Sequence, residues 1–123
     1  MHDAPSAKEL IEAVKSFIDN TAAPQLTGHA AFHARVASNA LGTVLRELEI
    51  RPAAEAAEKA RLEALLGTSG GTANALNQKL CEEIRAGRMD LATEGLLSHL
   101  KSTTIAQLSV DQPGYSGLKT AAR

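Results

Sequence analysis

The stretch from about His29 to Glu49 constrains this chain most, because it reads as one long helix around which the rest must be arranged. Val36, Leu41, Val44, Leu45 and Leu48 recur at helical spacing and form an apolar stripe over its C-terminal two thirds. Its first part differs: His29, His33, Arg35 and Asn39 stand among alanines and Phe32. Pro52 is expected to close the helix, since the residue before a proline is pushed away from helical angles.

The neighbours of this helix are legible from their ends. Ser6-Ala7-Lys8-Glu9 has the spacing of a capping box, and Leu10, Ile11, Val14, Phe17 and Ile18 then fall on one face, with Lys8, Glu12, Lys15 and Asp19 on the other side. Asn20 to Gly28 break the pattern. Pro52 can open a third helix, where its missing N–H costs nothing. Ala54, Ala57, Leu62, Leu65 and Leu66 would face inward, Glu55 and Lys59 would pair outside, and Gly67 would end it. Thr72 is a plausible cap for a fourth helix over 73–86, with Leu76, Leu80 and Ile84 inward and Gly87 as its stop. Thr93 would cap a fifth, from Glu94 to about Val110, with Leu97, Leu100, Ile105 and Leu108 inward.

No stretch alternates apolar and polar residues over a useful length, so the fold class is all-α. Short loops favour an antiparallel bundle of about five helices around the long second one. One domain is expected over residues 1–115, followed by a flexible tail over 116–123. At 123 residues the chain has the length of one domain. Aromatics make up only 2% of it, so its core must be built from Leu, Ile, Val and Ala, and dimerisation could add burial.

The formal net charge of -1, with interspersed signs, argues against nucleic acid as the main partner. No segment has the length and apolarity of a membrane span, and the N-terminus has no basic-then-apolar leader pattern. A single cysteine, Cys81, cannot form an internal disulfide, and the cytoplasm is the default location.

The residues that could carry chemistry are few. His29 and His33, four apart on a helix, have the spacing of two ligands on one metal, but a zinc site needs a further ligand and no His or Cys at a recognisable spacing supplies it. Arg35 and Asn39 form a second i,i+4 pair one position round. The simpler reading is that they staple the loop before the helix or the C-terminal segment, because buried polar groups need partners. The alternative is that Arg35, with His33, binds an anionic group. Cys81 has no activating neighbour and reads as a small core residue. The glutamates of the third and fourth helices read as solvated faces. No cofactor is implied.

The stretches FHARVASNAL from Phe32, PAAEAAEKARLEALLG from Pro52, LNQKLCEEIRAGRMD from Leu76 and the closing LSVDQPGYSG, with the opening HDAPSAKELIEAVKSFI, give the chain a family likeness. It resembles a family of small uncharacterised bacterial helical proteins, a domain of unknown function. Members are often encoded near aminoglycoside-phosphotransferase-like kinases and acyl-CoA dehydrogenases. The resemblance implies a helical accessory protein, a partner of such a kinase or dehydrogenase, and carries over no catalytic residue. The first functional reading is therefore a non-enzymatic accessory or interaction module that binds a partner, or itself, through an Ala/Leu-rich helix face. The second is a binder of an anionic ligand, of phosphate or acyl-CoA type, at His29, His33, Arg35 and Asn39. An enzymatic role, with a metal at His29 and His33, has the least behind it.

Overall fold

The computed structural model describes residues 3–123, and the described residues are helical with no strand. Met1 and His2, where the expected domain begins, lie outside them. The helices are α1 (Ala7–Phe17), α2 (Gly28–Leu66), α3 (Ala73–Arg85), α4 (Leu96–Asp111) and α5 (Ser116–Ala121). A π-helical turn, Ile18–Ala22, and a 3-10 turn, Ala23–Gln25, continue α1 towards α2. The residues form two compact units, one up to Glu49 and one from Ile50 to Arg123.

The helix ends follow from local chemistry. Ser6 Oγ accepts from Glu9 N–H at 3.2 Å and Glu9 accepts from Ser6 N–H at 2.7 Å, so the capping box forms. Thr72 Oγ1 accepts from Ala75 N–H at 3.2 Å at the start of α3. Gly67 (φ 61°) and Gly87 (φ 72°) take the left-handed conformation after α2 and α3. There Thr68 N–H reaches Glu63 C=O and Arg88 N–H reaches Glu83 C=O, which satisfies carbonyls the helices leave free.

Pro52 does not end the second helix. It lies inside α2, which runs unbroken for 39 residues. Proline forfeits one rung of the ladder, to the carbonyl four residues back. The good helix formers on both sides outweigh that local preference. The outer ion pairs accordingly differ from the expected Glu55–Lys59 pair: Arg51 meets Glu55 at 3.8 Å and Lys59 meets Glu63 at 4.0 Å. At the other end, α4 starts at Leu96 behind Gly95 (φ 85°), with no side-chain cap. Thr93 instead holds the preceding turn, accepting from Asp90 N–H at 3.0 Å. The segment expected to be a loose tail contains the short helix α5.

In the unit up to Glu49, α1 and α2 meet in opposite senses. Lys8 reaches Glu49 at 3.7 Å, while Lys15 Nζ lies 3.0 Å from Ser38 Oγ. The helices come close at Gly42, where a Cβ would stand 3.5 Å from Lys15 Cε, at ordinary van der Waals distance. The buried residues are Ser38 and Gly42, and none of α1 is buried.

In the unit from Ile50, Leu62, Leu76, Leu80 and Leu96 form the core, with Leu65, Leu66 and Met89 packed on it. Leu62 is 0% exposed. Several inward assignments are overturned. Ile84 is exposed, and α4 is turned by one residue: Leu96, His99 and Val110 are buried while Leu97 and Leu100 are exposed. Cys81, expected in the core, is exposed on α3. Leu10, Val14 and Phe17, from the apolar face of α1, are 49%, 52% and 59% exposed.

Candidate functional site

The polar cluster on α2 is the first place to look. His29, His33, Arg35 and Asn39 are all exposed. Among the described residues, the side chains of His29, Arg35 and Asn39 make no hydrogen bond or ion pair. His33 stacks edge-on against Phe32, with ring centroids 5.5 Å apart and planes at 73°. The cluster is thus a row on an open helix surface. Among the described residues no group of three or more His, Cys, Asp or Glu side chains converges as a metal site would require.

The expected tie between Arg35, Asn39 and the preceding loop is not made. The neighbouring Ser38, 4% exposed, is tied instead to α1 and the turn that follows it: its Oγ donates to Asp19 and accepts from Lys15 Nζ. Lys15 also pairs with Asp19 at 2.6 Å. The Lys15 hydrogen bond, followed by that of Ser38, holds the Asp19 carboxyl below its ordinary range. A serine among alanines carries no sequence signal that it will be enclosed; Asn39, the poorer helix former, draws attention instead.

A second polar constellation was not anticipated. His99 is 2% exposed on α4. Its Nδ1 accepts from Arg61 Nε of α2 at 3.4 Å, and the same guanidinium donates to Thr103 Oγ1 at 3.3 Å. One turn earlier, Glu58 accepts from Asn77 Nδ2 of α3 at 2.8 Å. Burial, and then the Arg61 charge, push the His99 pKa down, and Glu58 partly opposes them. These contacts join α2 to α3 and α4. A ring nitrogen that accepts from a guanidinium is neutral, so the arrangement fixes the His99 tautomer, with the proton on Nε2.

The third feature is apolar. On α1, Ile11, Lys15 and Ile18 are partly covered along the seam with α2, and Leu10, Val14 and Phe17 each precede one of them by one residue. On α2 the seam is marked by Ser38, Gly42 and Leu45, and Val44 (42% exposed) precedes Leu45. Leu48 (44% exposed) likewise precedes Glu49, which Lys8 touches. In two helices that run in opposite senses, equal angular offsets from the seam fall on the same side. Leu10 stands level with Leu48, and Val14 with Val44, because Lys8 is level with Glu49 and Lys15 with Gly42. The hairpin therefore has an uncovered apolar face. A further open groove, about 570 Å³, runs along the outer side of α4, with Leu97, Leu100, Ile105 and Leu108 against Tyr115 and α5.

Compared with known proteins, residues 24–115 match the family model described as "Domain of unknown function (DUF6285)". No curated protein and no solved structure matches the chain.

Proposed function

We propose, from the premise that the chain belongs to the DUF6285 family, that it works as a non-enzymatic interaction module whose binding surface is the apolar face of the α1–α2 hairpin. One observation carries this reading. Leu10, Val14, Phe17, Val44 and Leu48 are each about half exposed on one side of a hairpin whose buried residues are Ser38 and Gly42. Apolar surface gains about 25 cal/mol per Å² on leaving water, so such a face gains most from a protein surface laid against it. The resemblance supplies the candidates for capture: a phosphotransferase-like kinase and an acyl-CoA dehydrogenase, in a bacterial cytoplasm. No helix among the described residues is long and apolar enough to cross a membrane.

The test is co-purification of the tagged chain with these enzymes, for wild type and for Leu48→Glu. Capture by wild type and its loss in the variant support the module. Equal capture by both, or capture by neither from a monomeric chain, overturns it. The second reading, an anion binder at His29, His33, Arg35 and Asn39, is favoured by the Arg35 guanidinium, which has no partner among the described residues. Thermal shift with CoA esters and sugar phosphates decides it. Stabilisation lost in Arg35→Ala supports it, and no stabilisation removes it.

A further inference from the structure

We infer that the occupant of the hairpin face is a second copy of this chain, two α1–α2 hairpins closing face to face into a four-helix bundle; this rests on the interaction reading above. The hairpin is built as half of such a bundle. Two helices of opposite sense present two columns of apolar side chains at matching heights, Leu10 by Leu48 and Val14 by Val44, with Phe17 above them. Bundles are completed by laying a second such layer on the first.

Area and charge both favour a copy over a foreign partner. Half of each of five large apolar side chains is on the order of 400 Å² per copy, the size of the largest patch a typical monomer tolerates. That is about half of the ~800 Å² per partner of a standard interface, close to the share that apolar surface takes in one. The charged residues of α1 that could select a foreign partner lie elsewhere: Lys8, Lys15 and Asp19 face the α2 seam, in contact with Glu49 and Ser38. Glu12 pairs with Lys8 at 3.9 Å on that same side. Ala13 on α1 and Ala40 on α2 stand beside the apolar residues in the helical pattern. A face whose α1 half carries Leu, Val, Phe and Ala complements its own copy without any matched charge pattern. A two-fold axis through it makes the contact isologous, so one patch serves both partners.

The experiment uses the full chain. Sedimentation equilibrium at tens of micromolar should give twice the 12.9 kDa of one chain for wild type. Val14→Lys should sediment as a monomer. In a Cys81→Ser background, mild oxidation should cross-link Val14→Cys into a covalent dimer at least tenfold faster than Glu12→Cys, which sits on the charged side. This comparison needs no destabilising charge, so a failure of Val14→Lys to fold does not spoil it. A wild-type monomer, or equal cross-linking of the two cysteines, overturns the proposal. If the chain is monomeric yet Val14→Lys abolishes capture of a kinase or dehydrogenase, only the second copy falls. If capture is also unchanged by Val14→Lys, the interaction reading falls with it.

Discussion

The buried His99 should make stability depend on pH between 7.5 and 5.5. In the folded chain its Nδ1 accepts from Arg61, and burial with the Arg61 charge holds its pKa below the ordinary 6.5. The unfolded chain has no such restraint. Well above pH ~6.5 both forms are neutral and the contribution of His99 is complete. As pH falls below that value, the unfolded state takes up a proton that the folded state refuses, and stability drops. The slope approaches about 1.4 kcal/mol per pH unit and flattens only below the folded pKa. Between pH 7.5 and 5.5 the loss approaches about 1.4 kcal/mol where the folded imidazole stays neutral throughout. Urea unfolding of wild type and His99→Asn at pH 7.5, 6.5 and 5.5 measures it. Asn keeps an acceptor near the Nδ1 position, so the variant loses volume and baseline stability but has no group to protonate. The wild-type curve should fall towards that of the variant as pH drops. Parallel curves would refute the reasoning. The carboxylates held below their usual range, Asp19, Glu9 and Glu83, act at lower pH, where their stabilisation is lost as they protonate, so they leave this window clean.

Other substitutions test the packing. Leu62→Ala removes the most enclosed leucine of the core and should cost about 3 kcal/mol in urea unfolding, whereas Leu10→Ala, at 49% exposed, should cost less than half as much in a monomeric sample. Gly42→Ala should be neutral or stabilise by up to ~1 kcal/mol: alanine is the better helix former, and the new methyl group would meet only the flexible ends of Arg46 and Lys15, at 3.4 and 3.5 Å. Gly95→Ala should destabilise by about 1 kcal/mol or more, because φ is 85° and the Cβ would touch Leu65 at 3.4 Å. Thermal melts of the two glycine variants should therefore shift in opposite directions.

What the sequence made legible was mostly local. Ser6, Thr72, Gly67 and Gly87 mark helix ends because capping depends on a few adjacent backbone groups, and Leu62, Leu76 and Leu80 are core positions on helices with one apolar side. Pro52 misled because its cost is local, whereas the reward for continuing the helix is spread over both flanks. On α4, apolar residues lie all round the helix. An inner face read from the leucines runs through Leu97 and Leu100 and gives no sign of the buried His99. Arg61, distant in sequence, is what makes a histidine acceptable there. The same limit applies to the candidate site. His29, His33, Arg35 and Asn39 could be picked out by residue type, but whether side chains converge depends on what packs opposite. Periodicity identified the apolar residues of α1 and α2 but not whether anything covers them.

The proline in α2 bears on how the chain comes apart. Helix melting spreads because each hydrogen-bonded turn lowers the cost of the next, and Pro52 donates no bond to the carbonyl of Leu48. The missing rung falls where one compact unit ends and the next begins. Melting that spreads along α2 from either end meets that missing rung, and amide exchange should report separate opening energies for residues before and after the proline.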